Sequence, residues 1–92
     1  MRIQRLSNKE IGQVLAQRVK TIRKAQKITQ KQLAQTSGVS YASYRLFEKN
    51  GTISLLSFIA AVRALGKLDH IDKLLEIDLF ELENFFEEKQ EQ

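Results

Sequence analysis

Two helix starts and one helix stop lie within twelve residues of each other, and they constrain the fold more than any other feature of the chain. The stretch TQKQ at residues 29–32 has the form of a capping box, in which two side chains satisfy free backbone groups at a helix start. Gly38 suits the left-handed backbone that ends a helix, and Ser40 suits the cap of the next one. This spacing predicts two short helices, over residues 30–36 and 41–49, joined by a tight turn.

Further capping signals and apolar spacing predict helices on both sides of this pair. The stretch SNKE at residues 7–10 is another capping box, and the apolar spacing behind it predicts a first helix over about 8–26. Ser54 precedes a strongly apolar stretch at residues 55–65 that Gly66 ends, and this fourth helix is expected to be buried on most sides. The chain is therefore expected to be all-α.

The end of the chain combines helical spacing with many acidic residues. Asp69 is expected to cap a fifth helix. Its inward-facing residues would be Ile71, Leu74 and Leu75. Leu75 also begins a spacing typical of a coiled-coil seam, which would contact a partner or a second copy. The residues of this seam are Leu75, Leu79, Leu82 and Phe86. We therefore expect a folded domain over residues 7–68 and an acidic helical extension over residues 69–92.

Charge is distributed unevenly between the two parts of the chain. Residues 1–51 carry eleven Lys and Arg against two acids, whereas residues 52–92 carry four against nine. A basic first part suits a polyanion such as nucleic acid, and the acidic part would be repelled by the same phosphates. We expect the acidic part to point away from nucleic acid and toward a protein partner.

Composition and motifs exclude several other classes of protein. The chain has no cysteine, and it lacks the run of about 18 apolar residues that a membrane span requires, so we expect a soluble, cytoplasmic protein. His70 lies beside Asp69 and Asp72, but a lone surface histidine near a helix start is more often without a role than a ligand or base. Without a phosphate loop, an HExxH motif or a nucleophile elbow, the chain is expected to be neither an enzyme nor a binder of metals or cofactors.

The two short helices and their turn meet the requirements of a helix-turn-helix motif, a unit that binds DNA. Ala34 is small enough to let the helices approach where they cross, and Gly38 makes the turn. The apolar inner faces would come from Leu33, Val39, Tyr44 and Phe47. A generic helical bundle would meet only one or two of these requirements by chance. We therefore interpret residues 29–49 as the element that reads DNA.

On these residues the chain resembles the Cro/repressor-like (Xre-type) helix-turn-helix regulators. The resemblance rests on ITQKQLAQTSGVS at residues 28–40, RVKTIR at residues 18–23, FE at residues 47–48 and LG at residues 65–66. It covers about residues 11–68. It implies a five-helix DNA-binding domain that usually dimerises, binds an operator in double-stranded DNA and places its third helix in the major groove.

The resemblance implies that one face of the third helix reads base edges. The residues of this face are Tyr41, Ala42, Arg45 and Leu46. Family members often have Gln, Arg or Ser there, whereas Tyr, Ala and Leu offer few hydrogen bonds. We therefore expect base reading to rely on thymine methyl contacts, the Tyr41 hydroxyl and Arg45. The alternative for Tyr41 is a partly exposed surface aromatic that reads nothing.

The resemblance also implies which residues hold the DNA backbone and brace the third helix. The phosphate candidates are Gln30, Ser40, Ser43, Lys49 and Thr52. Gln30 would also steady the third helix. Arg23 and Glu48 would form a partly buried ion pair between the first and third helices. Asn50 stands where the family usually has glycine, which is acceptable because Asn tolerates the left-handed conformation.

Residues 47–76, with their E-x-x-G-x-I-S-L step, are also similar to the HipB-type antitoxins that are encoded beside HipA-like kinase toxins. This resemblance implies a homodimer that represses its own operator and binds a HipA-like kinase toxin through another surface. Solitary and phage Xre-type regulators share much of the pattern and are an alternative. A helix-turn-helix adaptor between proteins is a second alternative. A general nucleic-acid binder is a third, and the acidic part of the chain argues against it.

Overall fold

The computed structural model describes residues 3–76 together with residues 81, 83, 84 and 87. A short 3-10 helix at Ile3–Arg5 precedes five α-helices. These helices are α1 (Asn8–Ala25), α2 (Gln30–Ser37), α3 (Tyr41–Asn50), α4 (Leu55–Ala64) and α5 (Leu68–Asp72). The described residues contain no strand, so the predicted five-helix, all-α fold is confirmed.

Side-chain caps begin four of these helices at the residues that the sequence indicated. At α1 the Ser7 Oγ accepts from the Glu10 N–H at 3.1 Å, and the Glu10 carboxylate accepts from the Ser7 N–H at 3.0 Å. Thr29 and Gln32 form the same reciprocal box at α2. The caps of α3 and α4 are Ser40 and Ser54. Each cap satisfies backbone donors that have no partner inside the helix, which fixes where the helix begins.

The core lies where α1 and α2 pack against the inner face of α3 and where α4 packs against α2. Tyr44, Phe47 and Leu33 are its largest fully buried side chains. The Phe47 ring meets the rings of Tyr44 and Phe58 edge to face, at centroid distances of 6.1 Å and 5.9 Å. Ala34 is 3% exposed, which places a small side chain between α2 and its neighbours. The second half of the helix-turn-helix is thus anchored by aromatic packing.

The prediction that α4 is buried on most sides is wrong. Ala61 and Val62 are its buried residues, whereas Leu55 and Leu56 are 70% and 79% exposed. Because apolar residues occur on nearly every side of α4, its composition gives little information about which face turns inward. Its first turn leaves two leucines on the surface of the chain.

The predicted start of the fifth helix is wrong, and so is the prediction that Leu74 and Leu75 face inward. Lys67 precedes α5 without a side-chain cap, and Asp69 lies inside the helix. The helix ends at Asp72, so Leu74 and Leu75 do not lie on a helical face. They are 62% and 88% exposed. Ile71 is half-buried.

Leu75, the first residue of the predicted seam, does not continue the helix of α5. It has a left-handed backbone with φ 53°, which a regular α-helix does not contain. Leu79, Leu82 and Phe86 lie outside the described residues. Within the extension, the described residues are helical and exposed at positions 81, 83, 84 and 87.

The backbone at the end of α3 lies very close to the backbone of α1. Gly51, not Asn50, takes the left-handed conformation there, with φ 81°, because α3 continues through Asn50. A Cβ on Gly51 would lie 2.5 Å from the backbone carbon of Gly12, and a Cβ on Gly12 would lie 2.9 Å from the Gly51 oxygen. The two glycines therefore permit a backbone contact between α1 and the residue that ends α3.

Candidate nucleic-acid interface

The turn between α2 and α3 is closed by local hydrogen bonds. Gly38 has φ 76°, and its N–H donates to the Gln35 carbonyl at 3.3 Å. The Ser37 hydroxyl donates to the Ala34 carbonyl at 3.1 Å and accepts from the Val39 N–H at 3.4 Å. Val39 packs against the core from inside the turn. These bonds hold α3 in a fixed direction relative to α2.

The outer face of α3 is exposed and carries the residues expected to read bases. Tyr41 and Leu46 are 40% and 49% exposed, and Ala42 and Arg45 are exposed as well. A shallow depression runs along this face. It is lined by Ala42, Arg45, Leu46 and Lys49. Because these positions are spaced by three and four residues, they share one side of the helix.

Tyr41 has a neighbour that the sequence did not indicate. The Lys31 ammonium lies 5.8 Å from the centre of the Tyr41 ring, a distance at which a cation is attracted to an aromatic face. Lys31 belongs to α2 and Tyr41 to the first turn of α3, so no periodicity links them. The contact becomes visible only once the turn has folded.

The Glu48 carboxylate is the point at which α1, α2 and α3 are joined. Arg23 Nε donates to Glu48 Oε2 at 2.8 Å, and Arg23 Nη2 donates to Oε1 at 3.0 Å. Gln30 Nε2 donates to Oε1 at 3.1 Å, and the Tyr44 hydroxyl donates to Oε2. The side chains of Arg23 and Glu48 are only 8% and 3% exposed. The carboxylate thus accepts from three side chains, which together offset the cost of removing it from water.

Arg23 makes one further bond that completes this network. Its Nη1 donates to the Ile28 carbonyl at 2.7 Å, in the loop that leads from α1 to α2. In the described part of the chain, every buried side-chain nitrogen and oxygen has a hydrogen-bond partner. The network is therefore fully satisfied, and it ties α3 to α1 and α2.

The pKa values of this network follow from burial and pairing. Burial alone would raise the pKa of the Glu48 carboxyl, but the hydrogen bonds from Arg23, Tyr44 and Gln30 lower it below its ordinary value. The pKa of Arg23 is raised, first by its hydrogen bond to Glu48. The pKa of Tyr44 is raised, first by burial and then by its bond to Glu48. The carboxylate and guanidinium are charged at neutral pH, and the phenol is protonated.

The residues expected to contact phosphate lie around α3 but in different settings. Gln30 is half-buried and donates one hydrogen bond from its amide nitrogen to Glu48. The Ser40 hydroxyl accepts from the Ser43 N–H at 3.1 Å, and both serines are exposed. Lys49 is exposed in the last turn of α3. Thr52 is exposed, and its N–H donates to the Asn50 side chain at 2.9 Å.

Two other contacts that position α3 and its neighbours were missed. The close approach of Gly12 and Gly51 was not expected, although a glycine inside a helical pattern is itself a signal of close packing. Gln26 Nε2 donates to the Leu65 carbonyl at 2.9 Å and so joins the end of α1 to the end of α4. No local pattern indicates that bond, because 39 residues separate its partners.

The described residues contain no group of three acidic, histidine or cysteine side chains that could hold a metal ion. His70 Nε2 lies 3.9 Å from an Asp69 carboxylate oxygen, and both side chains are more than half exposed. None of the described helices is long and apolar enough to cross a membrane.

Comparison with known proteins identifies the family of the chain. A family model described as helix-turn-helix matches residues 19–71, more than half of the chain. The match begins inside α1 and ends inside α5, so it contains the whole α2–turn–α3 unit and the whole Glu48 network. No curated protein and no solved structure matches the chain. The chain therefore belongs to the helix-turn-helix family and is an Xre-type DNA-binding regulator with a Cro/repressor-like fold.

Proposed function

We propose that the chain is a sequence-specific repressor that binds its own operator as a homodimer. The observation that carries this proposal is the division of α3 into two faces. Tyr44 and Phe47 are at most 1% exposed on its inner face, while Tyr41 and Leu46 are 40% and 49% exposed on its outer face. A helix held so firmly on one side and so open on the other is suited to enter a groove of double-stranded DNA.

Charge supports the same proposal. The exposed residues of α2 and α3 include Lys31, Arg45 and Lys49, and residues 1–51 carry an excess of nine positive charges. Attraction to phosphates would supply much of the affinity, because the reading face offers few hydrogen bonds. We propose phosphate contacts for Gln30, Ser40, Ser43, Lys49 and Thr52.

A binding titration on the region upstream of the chain's own gene tests the proposal. Fluorescence anisotropy would compare that duplex with a scrambled duplex of the same length and composition, at several salt concentrations. We expect the specific duplex to bind about 10³-fold or more tightly. Failure to prefer any upstream sequence would refute operator binding. Equal affinity for both duplexes with a steep salt dependence would indicate a general nucleic-acid binder instead.

Substitution of Arg45 separates base reading from phosphate attraction. We expect Arg45→Ala to weaken binding to the specific duplex by about 1–3 kcal/mol and binding to the scrambled duplex much less, because a bidentate arginine contact identifies a base. Lys49→Ala is the matched control on the same face of α3. It should weaken both duplexes by similar amounts and reduce the salt slope by about 1. Equal losses for the two duplexes in Arg45→Ala would mean that Arg45 contacts only phosphate.

Exposed leucines support the homodimer. Leu55 and Leu74 are 70% and 62% exposed and line one groove, and a soluble monomer rarely leaves a large apolar surface uncovered. Two apolar grooves in this region share Leu15, Phe58 and Leu74 as lining residues. We propose that a second copy covers this surface. Dimerisation would then present two copies of α3 to half-sites about 34 Å apart or a multiple of that distance.

Substitution of Leu74 tests this interface. We expect Leu74→Asp to convert the dimer to a monomer in sedimentation velocity, because a charge would be buried at the centre of the interface. Leu46→Asp is the control, since Leu46 is an exposed leucine on α3 that lines neither groove. If both variants sediment as dimers, the interface lies elsewhere on the chain.

We further propose that the repressor is the antitoxin of a HipA-like kinase, with residues 7–68 binding DNA and residues 69–92 contacting the partner. The resemblance to HipB-type antitoxins and the excess of acids in the second part of the chain support this role. Size-exclusion chromatography with the neighbouring gene product tests it. A solitary or phage-type regulator is the alternative and would elute unchanged.

One observation favours a different function, an adaptor between proteins. The outer face of α3 presents Tyr41, Ala42 and Leu46 where hydrogen-bonding side chains would read bases directly. An adaptor would bind DNA without regard to sequence and would bind a protein through α3. The comparison of specific and scrambled duplexes distinguishes this function from the repressor.

A further inference from the structure

The depression on α3 has a chemical character that goes beyond general DNA binding. Resting on the operator binding proposed above, we propose that Ala42 and Leu46 recognise the C5 methyl group of a pyrimidine, which either thymine or 5-methylcytosine carries. Arg45 contacts a guanine beside it. The substrate of this site is thus a methyl-bearing pyrimidine next to a guanine in the major groove.

The apolar part of the depression selects the methyl group. Ala42 and Leu46 lie one helical turn apart, and neither side chain has a hydrogen-bond donor or acceptor. Leu46 is 49% exposed, so nearly half of its surface is free to meet a ligand. Among the groups that base pairs display in the major groove, the C5 methyl group is the apolar one. Every other edge group would lose a water hydrogen bond against these side chains without replacing it.

The charged part of the depression places the guanine. Arg45 lines the same depression as Ala42 and Leu46 and is exposed. A guanidinium prefers the two acceptors of guanine, O6 and N7, which it can engage with two parallel hydrogen bonds. Because Arg45 adjoins Leu46 along the helix, the guanine and the methyl group belong to neighbouring base pairs. Lys49 closes the depression one turn after Arg45 and is suited to a phosphate.

The site does not distinguish the two pyrimidines by their exocyclic groups at C4. Thymine presents an acceptor at C4 and cytosine presents a donor, and neither Ala42 nor Leu46 can respond to that difference. Methylation of a cytosine at this position would therefore create the same contact that thymine makes. Operator affinity would respond to cytosine methylation.

Four duplexes that differ at a single base pair test the proposal. A duplex enriched from a random library by the purified chain is remade with deoxyuridine at each thymine in turn, which removes only the methyl group. The most sensitive position is then remade with cytosine and with 5-methylcytosine, each paired with guanine. We expect thymine to bind about threefold to tenfold more tightly than uracil, and 5-methylcytosine to exceed cytosine by a similar factor. Equal binding within either pair would overturn the proposal.

Two variants connect the methyl preference to the depression. Leu46→Asn should reduce the thymine-to-uracil ratio to about one, since the asparagine no longer offers an apolar contact. Its fold is expected to persist, because Leu46 is on the surface. Lys49→Gln is the control, and it should weaken all four duplexes while leaving both ratios unchanged. A methyl preference that survives in Leu46→Asn would assign recognition to other residues and refute the proposal.

The experiment distinguishes failure of this inference from failure of the proposed function. If the library yields no enriched sequence, both are lost. If an enriched sequence binds specifically but shows no dependence on the methyl group, operator binding stands and only the methyl recognition is rejected.

Discussion

Replacing Glu48 with alanine is expected to lower the free energy of unfolding by about 3–5 kcal/mol, because it leaves a buried arginine without its counter-charge. Arg23 is 7% exposed and directs two of its nitrogens at the Glu48 carboxylate. The same change also removes the acceptor for the Gln30 amide and the Tyr44 hydroxyl. The other acid of residues 1–51, Glu10, cannot replace Glu48, since it pairs with Ser7 at the start of α1.

Urea denaturation followed by circular dichroism measures this loss. Glu10→Ala is the matched control, because Glu10 is the other acid of residues 1–51 and is exposed at a helix start. We expect a clearly smaller loss for the control. If Glu48→Ala were no less stable than Glu10→Ala, the network would not support the fold.

Acid titration gives an independent check on Glu48. Its pKa is lower in the folded chain than the ordinary value of 4.5, because the hydrogen bonds from Arg23, Tyr44 and Gln30 outweigh the effect of burial. Its contribution to stability is therefore fully present above pH 4.5 and is lost as the pH falls through the lower, folded-state pKa. Glu48→Gln should be less stable at neutral pH and should lose less stability on acidification than the wild type. An unchanged slope in Glu48→Gln would contradict the lowered pKa.

Replacing Gly51 with alanine is expected to destabilise the chain by about 2–5 kcal/mol, through backbone strain and a steric clash that act together. The new Cβ would lie 2.5 Å from the Gly12 carbon and 2.6 Å from the Gln13 nitrogen. Both are backbone atoms of α1, so no side-chain rotation can relieve the contact. The end of α3 would have to move away from α1, and the α3 face described above would move with it.

The Gly38→Ala variant separates the effect of backbone strain from the effect of the steric clash. Gly38 also has a left-handed backbone, with φ 76°, but an added Cβ there would meet no atom within 4 Å. We expect this control to lose only about 1 kcal/mol, the usual cost of the conformation alone. Melting curves of the two variants give the difference. Similar losses would show that the α1–α3 contact is not tight.

The starts of α1, α2, α3 and α4 were predictable from the sequence because capping is a local interaction. The pairs Ser7–Glu10 and Thr29–Gln32 lie three residues apart, so the same short pattern that suggests the bond also forms it. The exposure of Leu56 and Leu75 could not be predicted from local patterns. Both are apolar and lie in apolar stretches, yet both are exposed, since burial depends on which other helices are near.

Some contacts of the candidate site were predictable from the sequence, and others were not. The resemblance indicated that Arg23 and Glu48 would pair, and the structure places them 2.8 Å apart. It did not indicate that Tyr44 would donate to the same carboxylate, because Tyr44 fits the apolar pattern of a scaffold residue. A side chain that is both core and hydrogen-bond donor cannot be recognised from periodicity alone. The Lys31–Tyr41 contact likewise depends on the folded turn.

The residues that hold α3 in place are different from those on its exposed face. Tyr44, Phe47 and Glu48 hold the helix in place, and none of them belongs to its outer face. Tyr41, Arg45 and Leu46 are exposed and contribute little to the core. Mutations at these surface positions are nearly neutral for stability. A lineage, or a protein engineer, can therefore exchange them freely to obtain new recognition preferences while the scaffold beneath stays the same.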